Sequence, residues 1–436
     1  MPLYFTLRFY LVAAILVLLF IISFFFPPLF IVTKVLTGLW VLAVVVDLAL
    51  LFITRAKPNA ERACSDRFSN GDENEVKIEF CNPYSFKSRV EVIDEMPVEF
   101  QMRDFVMKDH LKAKQQHTIS YSLTPKKRGV YHFDRIRLFF SSPIGLVQRR
   151  FTCGTPFSVK VYPSYTHLSL YSLIAIHNKL DEVGIKRVRQ VGADTEYDQI
   201  KDYVQGDDYR NINWKASARA YSLKVNVYQQ ERSQNLYAVI DKGRMMQQTF
   251  NGMTFFEYAV NASLAISYVA MKKDDRSGLI SFAKEVDGFV PAAKQGGQMQ
   301  CLMEQLYHEQ TIFSESDYSG LSSFLAAKVT KRSLVILFAN FATLNQLKRE
   351  LQYLRQISRQ HKLIVVIFKD RQMHEFVELS PKNTEEYYQQ IMVEQYIEEK
   401  DHIERTLRQN GIITLQTYPE NLSINIINKY LEVRRF

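Results

Sequence analysis

Leu236-Tyr237-Ala238-Val239-Ile240-Asp241 is the stretch on which the fold turns. Its apolar run, closed by an acid, does not alternate between a wet and a dry face, so it reads as a strand buried on both sides. Outward from it a rhythm of strand and helix sets in. Phe255 to Met271 has helical length and pattern, Gly278 to Phe282 is strand-like, and Val286 to Val290 suits a short antiparallel edge strand. Gln298 to Tyr307 reads as helix, Ser333 to Phe338 as a buried strand, Leu344 to Arg359 as a long helix and Leu363 to Phe368 as another buried strand. Helical stretches over Thr384 to Asn410 precede a last pair, Gly411 to Tyr418 and Leu422 to Val433. The alternation predicts an α/β domain over 235–436, with a mostly parallel sheet covered on both faces. Binding sites in such sheets form at the carboxyl ends of strands. Here those ends carry Asp241, Ala339-Asn340 and Lys369-Asp370.

Upstream, residues 57–165 follow a different period. After a polar linker from Lys57 to Asn74, Val76 to Phe80 and Arg89 to Asp94 alternate apolar and polar residues. His117 to Leu123, Val130 to Phe133, Ile136 to Phe140, Leu146 to Thr152 and Phe157 to Tyr162 continue the pattern, separated by turn residues such as Ser142-Pro143 and Gly154-Thr155-Pro156. About seven short strands with regular turns predict an immunoglobulin-like β-sandwich. Lys126-Lys127-Arg128 is a basic turn, read as a solvated loop, with lipid headgroups as the alternative.

Residues 166–234 read as a linker that carries one dense motif, Gly206-Asp207-Asp208-Tyr209-Arg210-Asn211-Ile212-Asn213-Trp214-Lys215-Ala216-Ser217-Ala218-Arg219. It holds one of the chain's 2 tryptophans. Gly206-Asp207 suits a turn, and Tyr209 to Ala218 suits a short, half-buried helix. Two readings compete. In the first, the charged residues clamp the linker to the α/β domain while Trp214 packs into it. In the second, Asp207, Asp208, Arg210, Asn213, Lys215 and Arg219 surround Trp214 on a docking surface.

At the N-terminus, Phe9 to Phe26 and Leu36 to Ile53 are apolar runs, the second broken only by Asp47. Each spans about 27 Å as helix, near the thickness of a hydrocarbon core. Pro27-Pro28 between them predicts a transmembrane hairpin over 1–56. The first run lacks a clear small-residue cleavage site, which argues against a signal peptide. Arg8 before the hairpin and Arg55, Lys57 and Arg62 after it, against Lys34 between the spans, predict cytoplasmic ends and cytoplasmic soluble domains. Asp47 at mid-span reads as an acid bonded within the hairpin or to another copy, with a partner helix or proton sensing as alternatives.

Formal charge is +9, yet no run of Lys and Arg is dense enough to select nucleic acid, and Asp207 and Asp208 would oppose a phosphate backbone. Cys64, Cys81, Cys153 and Cys301 fit neither a zinc pattern nor a disulfide framework and read as reduced thiols. As candidates for catalysis Cys64, Cys301, His308 and His361 sit in no nucleophile motif. The reading is a protein that is no enzyme and has no cofactor.

The chain resembles the membrane proteins that carry the domain of unknown function 58, built on a von Willebrand factor A-like fold. The resemblance rests on the hairpin with Asp47, then Lys127-Arg128-Gly129-Val130-Tyr131 and Ser142-Pro143-Ile144-Gly145-Leu146. It continues through Asp194-Thr195-Glu196-Tyr197, Tyr203 to Arg219, Gln230-Glu231-Arg232 and the strand ending at Asp241. It implies a bacterial inner-membrane adapter that partners a MoxR-type AAA+ ATPase and client proteins, with self-association through the hairpin as a further possibility. The alternative is a cation-dependent, adhesion-like A domain. Such domains often hold a divalent ion through an Asp-x-Ser-x-Ser loop. Here the loop reads Asp241-Lys242-Gly243-Arg244-Met245, so Gly243 and Met245 replace both hydroxyls and two cations flank the acid, which argues against metal. Asp241 is expected to pair with Lys242, Arg244 or a backbone amide.

Overall fold

The computed structural model describes residues 3–54, 56–102, 105–171, 195–205, 209–220, 222–230, 233–379, 381 and 383–434, with backbone alone over 195–199 and 227–230. The chain divides into two compact units, Met1–Tyr162 and Pro163–Phe436. The hairpin and the β domain, read from sequence as separate domains meeting at residue 56, fall into one.

In the first unit α1 runs Leu7–Ser23 and α2 runs Pro27–Ile53. The second helix, 27 residues long with a mean hydropathy of 2.5, is long and apolar enough to cross a membrane, whereas α1 is apolar but has 17 residues. Pro27 and Pro28 occupy its first two positions rather than a loop, where a missing N–H costs nothing because the helix has no acceptor for it. Lys34, expected in the connection, therefore lies within α2, its Nζ 4.4 Å from the Phe30 ring centroid. Between the helices Phe9 meets Trp40 at 4.9 Å and Phe20 meets Phe30 at 6.3 Å between ring centroids. Buried Ser23 and Thr33 return their hydroxyls to the carbonyls of Phe20 and Phe30 at 2.7 and 2.9 Å. Small side chains let the helices approach, and the internal bonds leave no hydroxyl unsatisfied in an apolar setting.

Ten strands from Ala60–Cys64 to Phe157–Tyr162 build β-sandwich-like sheets. The alternating runs form strands at the expected places: Asn74–Cys81 shows the burial of an inward-outward pleat. Three strands lie where sequence shows no clean alternation, Ala60–Cys64, Arg67–Ser69 and Val106–Leu111. Leu3–Phe5, ahead of α1, pairs antiparallel with Val147–Cys153. The last turns of α2 continue this union, since Ala43, Val44, Leu48 and buried Leu51 join the same hydrophobic cluster as Ile78, Val90 and Phe140.

Asp47 is the centre of that junction. It is fully buried, and its Oδ2 accepts the backbone N–H groups of Leu146 and Val147 at 2.8 and 2.9 Å. It is not bonded within the hairpin. Because α2 begins at Pro27, Asp47 falls after about twenty residues, or about 30 Å of helix, a length equal to a hydrocarbon core's depth. Arg149 Nη1 donates to the carbonyls of Leu51 and Thr54 at 2.6 and 2.9 Å, satisfying orphan acceptors at the helix C-terminus with a cation. The Ser-Pro-Ile-Gly-Leu block is the turn that receives these groups. Ser142 Oγ accepts the N–H groups of Ile144 and Gly145 at 3.0 and 3.3 Å, and Thr6 Oγ1 donates to Gly145 O at 2.7 Å.

Arg62, counted among the charges flanking the membrane, is instead 4% exposed at its side chain and paired with fully buried Asp94. Its Nε donates to Asp94 Oδ2 at 3.0 Å, its Nη2 to Asp134 O at 3.0 Å, and Tyr121 completes the cluster by donating to the same carboxylate. The guanidinium lies over the rings of Phe133 and Phe157 at 4.9 and 5.2 Å. Burial and the adjacent carboxylate push the Tyr121 hydroxyl far above its ordinary pKa.

In the second unit six strands lie side by side, and numbered along the chain they run 3-2-1-4-5-6 across the sheet. Arg276–Phe282, Asn235–Asp241, Leu334–Phe338, Lys362–Phe368 and Ile413–Thr417 are mutually parallel, and Val286–Ala293 is the antiparallel edge. Helices cover both faces. Phe255–Lys272, Gln298–His308 and Leu422–Arg434 pack in one core cluster, and Tyr318–Lys328, Leu344–Gln360 and Thr384–Gln409 in the other. The helix Tyr318–Lys328 leaves a weak trace in sequence, since Gly320 and three serines have low helix propensity. Asp317 starts it by accepting the N–H of Ser319 at 2.9 Å.

Candidate functional site

Two places in the second unit hold the residues singled out from sequence: the carboxyl edge of the parallel sheet and the segment around Trp214.

The order of strands reverses between Asn235–Asp241 and Leu334–Phe338, the switch point where doubly wound sheets form their crevices. Asp241 closes the first of these strands and is 3% exposed. Its Oδ1 accepts the Gly243 N–H at 2.7 Å, its Oδ2 accepts the Tyr318 hydroxyl at 3.0 Å, and Ser316 donates to Oδ1 as well. Lys242 and Arg244 turn away from it, contrary to two of the three partners expected. Buried Lys242 bridges Glu309, at 2.9 Å, and Asp287, while Arg244 reaches Glu315 at 3.3 Å. A Cβ at Gly243 would collide with Ser316 Oγ, so the glycine is what admits that hydroxyl. The hydroxyl absent from the Asp241 loop is thus delivered from 75 residues away. Met245 supplies no oxygen, and Met246 beside it is buried in the core. Burial raises the pKa of Asp241 while the bonds from Ser316, Gly243 and Tyr318 oppose the rise, and Tyr318 is pushed well above its ordinary value.

The neighbouring strand end is filled as fully. Buried Asn340 accepts from Lys400 Nζ at 2.8 Å and donates to Gln248 at 2.9 Å, while Lys400 also donates to the Phe341 carbonyl. Asp370, after the next strand, caps the helix Arg371–Glu378 by accepting the Gln372 N–H at 2.9 Å. Among the described residues no group of three or more His, Cys, Asp or Glu is placed to hold a metal ion. Asp241, Asn340 and Asp370 are thus each bonded to the protein's own atoms.

Burial brings the Lys400 ammonium down from 10.5 to about 8, with Glu399 opposing. Between these values the folded chain carries fewer protons than the unfolded chain, so folding stability rises with pH. Lys400→Met removes that dependence. Chemical denaturation of both proteins should show wild type gaining on the variant by about 3 kcal/mol at most between pH 8 and 10.5, and an unchanging difference would refute the burial cost.

The motif segment is built differently. Strands Thr195–Asp202 and Lys224–Gln230 pair antiparallel, and between them lie a 3-10 turn, Tyr209–Asn211, and the helix Trp214–Ala220. Gly206, Asp207 and Asp208 lie outside the described residues, as do Arg55, Asp194, Glu231 and Arg232. Asn213 organises the rest. Its Oδ1 accepts the Ala216 N–H at 2.9 Å, and its Nδ2 donates to Asn226 at 2.9 Å. Ser217, buried, donates to Asn213 O at 2.8 Å and accepts the Lys224 N–H at 2.8 Å, which ties the helix to the strand.

This anchoring turns the other face outward. Trp214 is 70% exposed and Tyr209 67%, and Lys215, Ala218 and Arg219 are exposed beside them. Trp214 is therefore not packed into the α/β unit as the clamp reading expects, while the acids of that clamp lie among the residues not described. Small residues, Ala216 and Ser217, take the inward positions, and indole volume has no place there. Trp40 lies in the hairpin, so a Trp40→Phe variant leaves Trp214 as the single emitter. Its fluorescence should have the red emission of a hydrated indole and be quenched freely by acrylamide. A blue, protected emission would contradict the exposed placement.

The thiols and imidazoles considered for catalysis do not assemble. All four cysteines are free, and burial raises the pKa of Cys64 and Cys153, which disfavours the reactive thiolate. Cys301 and His308 share the helix Gln298–His308 but stand seven residues, about 10 Å, apart along it. His361 is buried with neither ring nitrogen hydrogen-bonded.

A doubly wound α/β unit bearing this exposed motif, joined in sequence to a β domain with an apolar hairpin, defines the class. Within it, residues 199–399 match the family described as "Protein of unknown function DUF58". A relative in Bacillus subtilis (strain 168), "Uncharacterized protein YeaD", is 27% identical over 176 residues, which are 40% of this chain and 42% of that protein. The match thus spans less than half of either protein. Among solved structures, the CARDB domain of the PF1109 protein from Pyrococcus furiosus is similar at 14% identity and a TM-score of 0.17, covering 25% of this chain and 94% of that one. The PapD-like domain 7 of human CEP192 is similar at 13% identity and a TM-score of 0.17, covering 24% and 87%.

Proposed function

We propose that this protein is a membrane-anchored, non-enzymatic adapter whose Trp214 face docks a partner protein. The observation that carries the reading is the 70% exposure of Trp214 beside Tyr209. Indole, phenol and the cations of Lys215 and Arg219 form the kind of aromatic and basic surface that anchors protein interfaces. The partner in this reading is a MoxR-type AAA+ ATPase, acting with it on client proteins in assembly or maturation. The α/β unit is read as von Willebrand A-like, supported by its 3-2-1-4-5-6 order and antiparallel edge strand. The neutral donors around Asp241 favour a form of that fold that works without a metal ion.

The anchor in this reading is the α1–α2 hairpin in a bacterial inner membrane, with both soluble parts in the cytoplasm. Gentle solubilisation of native membranes should recover an AAA+ ATPase with the wild-type protein and lose it with Trp214→Ala. Equal recovery with both proteins would remove the docking surface from the account, and protease digestion of the soluble units from the outer side of spheroplasts would remove the topology.

A further inference from the structure

The first unit contains a cavity of about 640 Å³ at the base of the hairpin, within the range of small-ligand sites. Four cations line it, Arg8, Lys87, Arg89 and Lys108, against a single carboxylate, Glu91. Glu91 is engaged by Lys108 at 3.6 Å. No carboxylate among the described residues pairs with Arg8, Lys87 or Arg89. A further donor lines the wall. Ser142 uses its oxygen to accept two backbone N–H groups, which leaves its own hydrogen to give. Leu7 and Arg8, in the first turn of α1, also line the cavity, and the side chain of Thr6 caps Gly145 O instead of that helix. The helix therefore presents unsatisfied N–H groups and its positive end there.

Four cations against one carboxylate, a hydroxyl and a helix N-terminus in one cavity fit a phosphate group. Its source follows from what adjoins it. Leu7, 75% exposed, lines the cavity, and Leu11, one turn on, is 54% exposed along the same apolar helix. We propose that the cavity binds the phosphate of an anionic glycerophospholipid, whose acyl chains lie along α1. The lipid fixes the hairpin and the β domain to the membrane surface at the level of the Ser142–Leu146 turn. This assignment rests on the membrane anchoring proposed above.

The test uses the full chain in nanodiscs, with native mass spectrometry counting the lipids retained on the protein. In discs of mixed phosphatidylglycerol and phosphatidylcholine, wild type should retain phosphatidylglycerol selectively. Arg8→Gln with Arg89→Gln should lower that retention about 30-fold, the share of two cations at an anionic surface, with an unchanged melting temperature. Lys87→Gln alone, at an exposed position, should weaken it about 5-fold, which covers the case of a double variant that does not fold. Equal retention by all variants, or equal retention of phosphatidylcholine, would overturn the site. Loss of the bound lipid to millimolar inorganic phosphate would overturn the lipid assignment in favour of a free anion. Failure of wild type to enter phosphatidylcholine discs would instead count against the anchor itself.

Discussion

Asp47→Ala should cost about 3–5 kcal/mol of the first unit's stability and loosen the β domain from the hairpin. The carboxylate holds two buried backbone N–H groups, and hydrogen bonds to a charged acceptor contribute about 1.5–3 kcal/mol each. Alanine leaves both donors unsatisfied where water does not enter. Asp47→Asn retains one carbonyl oxygen and should cost roughly half as much. Thermal unfolding in detergent would measure the loss, and limited proteolysis after Thr54 should show faster release of the β domain. An alanine variant as stable as wild type would show that the junction is held by apolar packing around Leu51 alone.

The second large effect lies within the β domain. Asp94→Ala leaves Arg62 buried with its charge uncompensated, a change that typically costs about 3–5 kcal/mol. The rings of Phe133 and Phe157 face the guanidinium but offset little of that. Removing both partners as Arg62→Met with Asp94→Leu should recover most of the stability, because matched apolar groups avoid the desolvation of two ions. Denaturant titration of the two variants would separate the outcomes. A double variant no better than Asp94→Ala would mean that Tyr121 and the Asp134 carbonyl depend on the pair for their own placement.

These two acids also show where sequence reading stopped. The period of apolar residues carried the strand positions of the α/β unit, including the antiparallel edge at Val286–Ala293, because each buried strand needs a continuous apolar run. It could not tell an acid bonded within the hairpin from one that reaches a distant turn, since Asp47 and Leu146 stand 99 positions apart with no local signal to link them. Arg62 reads as a flanking charge until Asp94 is brought to it by strand pairing. Four strands escaped, Leu3–Phe5, Ala60–Cys64, Arg67–Ser69 and Val106–Leu111. Leu3–Phe5 is too short to show a period, and Val106–Leu111 exposes every other residue without a strong apolar set.

At the candidate sites the limits were different. The lost hydroxyls at Gly243 and Met245 were legible, but the substitute from Ser316 depends on a tertiary approach. Around Trp214 composition suggested burial, because a large aromatic is usually worth more inside than out. The helix there has seven residues and fills its inner face with Ala216 and Ser217, so exposure of the indole follows from which face Asn213 pins down.

Whether this chain works by holding another protein is tested most directly by a photo-activatable phenylalanine analogue placed at position 214 in cells. Irradiation of intact cells followed by membrane purification should yield one covalent adduct between this protein and an AAA+ ATPase, absent when the analogue sits at Lys126. No adduct at 214, or adducts indistinguishable from those at Lys126, would contradict the account.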